Sequence, residues 1–214
     1  MKHRKIGILL AVILACVVMA LVETVIRPGY YIKSAIKLVL FLGTVLAFRP
    51  RRLLGRAGLK RGLLLGAGIY VLVLAAFFLF RPFLDLQAIA AGLLDKEGVD
   101  RENFLWVALY ISLVNSFLEE LLFRGMAFLE LRRYTPYAGI FSAGAFAMYH
   151  IGILEGWFSP WIYGLCLMGL FLGGLIFNWL DRTGSILPSW LAHAAVNLAI
   201  NTIGLMMFGM LPGY

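Results

Sequence analysis

The feature that most constrains this chain is a series of apolar segments long enough to cross a bilayer. A transmembrane helix needs about 20 predominantly apolar residues. Apolar residues make up 62% of the 214 residues and charged ones only 14%, against about 45–50% and about 25% in soluble domains. We therefore predict an all-α, polytopic transmembrane helical bundle with about seven spans. The predicted spans are residues 6–26, 32–48, 62–80, 104–131, 137–154, 161–180 and 186–210.

The basic residues in the loops predict the orientation of this bundle. Lys and Arg concentrate in cytoplasmic loops, and the loop between the second and third spans holds Arg49, Arg51, Arg52, Arg56, Lys60 and Arg61. This places the N-terminus in the cytoplasm and the C-terminus outside, with the first span retained as an anchor helix. Basic residues clustered in loops thus account for the net charge of +8. We expect no nucleic-acid partner because no soluble domain carries a basic stripe.

A few other residues bear on packing and covalent structure. Cys16 and Cys166 lie inside apolar runs, so no disulfide framework is expected. Glycines four apart allow helices to approach closely; the pairs are Gly62 with Gly66 and Gly169 with Gly173. Pro188 suggests a break or a re-entrant start in the seventh span.

The fourth, fifth and seventh predicted spans contain polar side chains that are costly in a membrane. A charge at the bilayer centre costs about 2.5–3.5 kcal/mol on insertion scales, so such groups indicate function by default. The fourth span contains Glu119, Glu120 and Arg124, the fifth His150, and the seventh His193 and Asn197.

Helix geometry distinguishes the two glutamates. Glu120 and Arg124 are four residues apart, with the acid first, which favours an ion pair. Glu119 lies about 100° around the helix from Glu120 and about 140° from Arg124. We therefore predict that Glu119 is free to meet another group, with Asn115, one turn earlier, lining the same cavity.

The histidines extend this polar set to two further helices. His193, Asn197 and Asn201 share one helical face, so Asn201 is a second candidate for the cavity lining. Phe146 lies one turn before His150 and is expected to pack against the neighbouring spans.

These segments together resemble the CPBP intramembrane proteases, which include type II CAAX prenyl endopeptidases and bacterial Abi-type relatives. The matching patterns are EExxxR from Glu119 to Arg124, FxxxH from Phe146 to His150, and HxxxN from His193 to Asn197. The resemblance covers residues 115–201. It divides the chain into residues 1–103, N-terminal helices without a motif, and residues 104–214, the catalytic core.

The resemblance implies a glutamate-dependent peptidase whose site lies within the bilayer. Glu119 would be the general base, and His150 would help to hold and activate water. His193 and Asn197 would stabilise the oxyanion, while Glu120, Arg124 and Phe146 would support the site. This chemistry requires an activated water and donors aimed at developing negative charge, and no cofactor.

Three alternatives stay open at this point. Zinc accepts mixed histidine and carboxylate ligands, so Glu119, His150 and His193 are candidate ligands, although HExxH is absent. Intramembrane Glu, His and Arg also form proton relays in transporters, and a non-catalytic membrane scaffold is the third alternative.

The family resemblance implies a membrane-associated protein or peptide as substrate and the lipid bilayer as surroundings. Prenylated tails, bacteriocin-type peptides and sorting tails of surface proteins all fit. A short chain with a basic N-terminal anchor suits a prokaryotic cell (inner) membrane.

Overall fold

The computed structural model describes residues 2–50, 53–155 and 159–212, and confirms the all-α prediction because no strand occurs within these ranges. Arg51 and Arg52, which the orientation prediction uses, lie outside them. The described helices are α1 (Lys2–Leu21), α2 (Tyr30–Phe48), α3 (Leu59–Phe80), α4 (Leu86–Glu97), α5 (Phe104–Arg133), α6 (Ala138–Leu154), α7 (Pro160–Leu180) and α8 (Leu187–Met207).

Seven of these helices correspond to the seven predicted spans. In the described part of the chain, six are long and apolar enough to cross a membrane. The seventh, α6, is apolar but has only 17 residues, or about 26 Å at 1.5 Å per residue. The chain is thus an integral, multi-pass membrane protein.

Helix α4 is absent from the prediction, which treated the region between the third and fourth spans as a loop. That interpretation is wrong. The Asp85 side chain caps the start of α4 by accepting a hydrogen bond from the Ala88 backbone N–H at 2.9 Å. The helix ends at Gly98, whose φ of 63° is readily adopted by glycine. Local capping therefore stabilises a helix that has no long apolar run to indicate it.

Helix α5 is the central helix and is irregular. Its Tyr110–Asn115 and Leu121–Glu130 stretches are π-helical, and the short α-helical turn Ser116–Glu120 separates them. Leu122, Phe123 and Met126 are fully buried in the main core. Because π-helical geometry is rare and often lies at functional sites, α5 is a candidate location for the functional site.

Close packing of α3 against α8 depends on two glycines. A Cβ at Gly62 would lie 2.7 Å from Pro188 Cα, and one at Gly66 would lie 3.1 Å from Ala195 Cβ. The interpretation of this pair is confirmed. The interpretation of Gly169 and Gly173 is wrong, because no described atom lies within 4 Å of a Cβ built at either position.

The start of α8 is stabilised by a buried carboxylate. Asp181 Oδ1 accepts from the Ser189 backbone N–H at 3.0 Å, and its Oδ2 accepts from Ser189 Oγ at 2.6 Å. Pro188 lies in the first turn of the helix, where its missing N–H costs nothing. The predicted break at Pro188 is therefore wrong: α8 is continuous from Leu187 to Met207 and carries His193 two turns into the bundle.

Candidate active site

The predicted polar residues from three helices converge in one cluster. Helix α5 supplies Glu119 and Glu120, α6 supplies His150, and α8 supplies His193. Glu119 is 2% exposed and Glu120 0%. Charges this deeply buried need partners, and the contacts of each carboxylate determine what it can do.

The two carboxylate oxygens of Glu119 have different surroundings. Oε1 accepts hydrogen bonds from Asn115 Nδ2 at 2.9 Å and from Lys37 Nζ at 3.3 Å. Oε2 faces His150 Nε2 at 3.9 Å and His193 Nε2 at 3.8 Å. Oε2 has no hydrogen-bond partner among the described residues. One oxygen is thus held in place while the other is presented to both histidines.

Each histidine is oriented through its other ring nitrogen. His150 Nδ1 lies 2.8 Å from the carbonyl oxygen of Phe146, and His193 Nδ1 lies 2.8 Å from Glu120 Oε1. A carbonyl only accepts, so its partner assigns the proton to Nδ1 of His150. In neutral His150, Nε2 is then an acceptor directed toward Glu119.

Glu120 and Arg124 form the ion pair that their spacing predicts. Arg124 Nε lies 3.2 Å from Glu120 Oε2, and both side chains are 0% exposed. The guanidinium lies between two aromatic rings, with Cζ 4.3 Å from the ring centroid of Phe146 and 5.1 Å from that of Phe177. Glu120 therefore connects the arginine to His193 and orients the imidazole.

Phe146 packs inside the site as well as against its neighbours. Its ring centroid lies 4.6 Å from that of His150 and 5.8 Å from that of His193. It is 3% exposed. The packing predicted for Phe146 therefore includes both histidines.

The two asparagines of α8 connect that helix to α5. Asn197 Nδ2 donates to the Ile111 carbonyl at 3.1 Å. Asn201 Nδ2 donates to the Ala108 carbonyl at 3.1 Å and to Ser112 Oγ at 3.0 Å. These contacts hold α8 beside the first π-helical stretch. The oxyanion role of Asn197 and the cavity-lining role of Asn201 stay predictions.

Lys37 is the site residue that sequence reasoning missed. It lies on α2, in the part of the chain assigned no motif, and contacts both Asn115 and Glu119. The signal was present, since Lys33 and Lys37 are charges one turn apart within a predicted span. The insertion-cost argument, applied to the second span, would have selected both.

The residues most suited to bind a metal are Glu119, His150 and His193. Zinc–nitrogen and zinc–oxygen bonds are about 2.0–2.2 Å long. Within residues 2–50, 53–155 and 159–212, no group of three or more His, Cys, Asp or Glu side chains is arranged to hold a metal ion.

Fold and site together define a polytopic helical membrane protein with a buried glutamate–histidine cluster at its centre. Residues 101–199 match the family model described as Type II CAAX prenyl endopeptidase Rce1-like. No curated protein matches the chain, and no solved structure does. The resemblance to the CPBP/CAAX protease family is therefore confirmed over this segment, which contains all three motifs. The family is one of proteases.

Proposed function

We propose that the protein is an intramembrane endopeptidase that hydrolyses a peptide bond in a membrane-associated protein tail or peptide. The observation that carries the proposal is the arrangement around Glu119, where Oε2 faces the Nε2 atoms of both His150 and His193 at 3.9 and 3.8 Å. A water molecule between these atoms would meet two bases and a neighbouring donor. That is the arrangement a hydrolytic reaction requires.

In the proposed mechanism Glu119 is the general base and His150 its partner. Glu119 Oε2 and His150 Nε2 together accept the hydrogens of one water, which attacks the carbonyl carbon of the scissile bond. The proton taken by Glu119 passes to the leaving amine as the tetrahedral intermediate collapses. The products are a new carboxylate and a new amine, so the reaction consumes one water and needs no cofactor.

His193 and Asn197 are proposed to stabilise the oxyanion. With its Nδ1 bonded to Glu120 at 2.8 Å, His193 donates from Nε2 when it carries both protons. Asn197 has a second amide hydrogen besides the one donated to Ile111. Donors placed in advance in a dry site are worth several kcal/mol to a transition state. Glu120, Arg124 and Phe146 support these groups.

We also propose a substrate class, a location and a division of the chain into two parts. The substrate is a prenylated tail, a bacteriocin-type peptide or a sorting tail of a surface protein. The protein resides in a prokaryotic cell (inner) membrane with its N-terminus in the cytoplasm. Its motif-free helices comprise residues 1–103 and its catalytic core residues 104–214, although Lys37 of the first part reaches the site.

The test is cleavage by purified wild-type protein in proteoliposomes containing one membrane-tethered peptide from each substrate class. We expect mass spectrometry to find a single new C-terminus that gains one ¹⁸O when the reaction runs in H₂¹⁸O. Cleavage should fall sharply in the His150→Ala and His193→Ala variants. Proton or solute movement across the same liposomes, with no peptide cleaved, would refute the protease and favour a transporter.

A further inference from the structure

Helix α2 places two lysines where apolar residues are expected. Its buried face consists of Lys33, Lys37, Phe41 and Val45, which recur every four residues. Lys33 and Lys37 are 7% and 8% exposed. A surface lysine extends its ammonium group into water. Lys33 and Lys37 instead direct their ammonium groups into the bundle.

The two lysines have separate partners. Lys33 Nζ lies 2.8 Å from Glu23 Oε2 and 2.7 Å from Glu97 Oε2, so it joins α2 to the end of the first span and to α4. Lys37 Nζ lies 2.6 Å from Asn115 Oδ1 and 3.3 Å from Glu119 Oε1. Only Lys37 reaches the proposed catalytic base.

From this geometry we infer that Lys37 is a positioning residue for Glu119, an inference that rests on the proposed function. The ammonium and the Asn115 amide both bind Oε1, which leaves Oε2 as the oxygen available to water. The ammonium also places a positive charge beside a carboxylate that is only 2% exposed, and a charge buried this deeply needs a partner.

Among the Lys and Arg side chains that the structure describes, Lys37 is the one with a nitrogen within 4 Å of a Glu119 carboxylate oxygen. Arg124 pairs with Glu120 at 3.2 Å, which balances one acid with one base. Lys37 balances Glu119 in the same way, across α2 and α5. The charged and titratable groups around Glu119 are Lys37, Tyr110, Glu120, Arg124, Tyr149, His150 and His193.

The test compares Lys37→Met and Lys37→Gln with Lys33→Met, a control on the same buried face. Glutamine keeps a donor for Asn115 but removes the charge. Lys37→Gln therefore tests the role of Lys37 if Lys37→Met does not fold. Folding is checked by the melting temperature in detergent, and kcat and KM are measured separately on the tethered peptide.

We expect folded Lys37 variants to lose about 10- to 100-fold in kcat at neutral pH, with KM changed less than about twofold. Lys33→Met should keep most of the wild-type kcat, because the Lys33 ammonium contacts Glu23 and Glu97 and not Glu119. A folded Lys37 variant with the wild-type kcat, or an equal loss of kcat in Lys33→Met, would overturn the inference.

Failure of this inference is distinguishable from failure of the proposed function. Glu119→Gln, assayed beside the lysine variants, tests the general base directly. If Glu119→Gln is inactive while the Lys37 variants keep the wild-type kcat, only the role of Lys37 is refuted. If Glu119→Gln cleaves like the wild type, the proposed function is refuted.

Discussion

The buried pair of Glu120 and Arg124 should be strongly coupled in stability. Both side chains are 0% exposed and their charged atoms are 3.2 Å apart. Breaking a buried pair by removing one partner costs about 3–5 kcal/mol, because the other charge stays buried without compensation. Glu120→Gln and Arg124→Met are each expected to destabilise the protein by about this amount. At 1.4 kcal/mol for each tenfold change, the unfolding equilibrium constant rises by roughly two to four powers of ten.

The double variant should recover most of that loss. Replacing both members of a buried pair by neutral groups of similar volume is often neutral or stabilising. Methionine fits the apolar space that Arg124 occupies between Phe146 and Phe177. We therefore expect the double variant to lose less stability than either single variant, which gives a coupling energy of at least about 3 kcal/mol in the double-mutant cycle. Activity should stay low in the double variant, because His193 still lacks the Glu120 carboxylate at Nδ1.

The assay is reversible denaturation of the four proteins in one detergent, with peptide cleavage measured on the same samples. The informative result is a double variant that recovers stability but not activity. Arg124 would then support the fold alone, whereas Glu120 would support both the fold and the activity. If the two single losses add to the double loss within about 0.5 kcal/mol, the pair is not coupled. The charge-balance reasoning would then be refuted.

Two further predictions concern packing and metal dependence. Gly62→Ala should destabilise the bundle by about 1–3 kcal/mol, since the new Cβ lies 2.7 Å from Pro188 Cα. Gly68→Ala, on the same helix with no described atom within 4 Å of its Cβ, is the control. Equal losses in detergent denaturation would contradict the close approach of α3 and α8. Treatment with EDTA or 1,10-phenanthroline should leave peptide cleavage unchanged. Loss of cleavage that zinc alone restores would establish the zinc-dependent alternative.

The sequence predicts most of the fold because a bilayer imposes simple length and hydropathy rules. All seven apolar segments appear as helices. Helix α4 escaped prediction because its stability comes from the Asp85 cap and the Gly98 end, which are local features without an apolar signature. The prediction of close packing at Gly169 and Gly173 is wrong for a different reason. A four-residue spacing does not say which face of a helix has a neighbour.

The candidate site was predictable where it depends on one helix and unpredictable where it depends on several. The i, i+4 relation predicts that Glu120 pairs with Arg124 and that Glu119 is free to meet another group. The structure has both arrangements. The contact of His193 with Glu120 joins α8 to α5, and that of Lys37 with Glu119 joins α2 to α5. Both contacts depend on how two helices are rotated and on how deeply their side chains lie relative to each other. The periodicity of a single helix does not predict either quantity.

The proposed function depends above all on Glu119 acting as the general base of a peptidase. This role is tested by measuring kcat/KM of purified Glu119→Gln on a membrane-tethered peptide that the wild type cleaves, with melting temperatures recorded for both proteins. General-base catalysis contributes about 10²- to 10⁴-fold, so we predict a loss of at least about 10²-fold with the variant still folded. Cleavage by folded Glu119→Gln at a rate close to that of the wild type would show that Glu119 is not the general base.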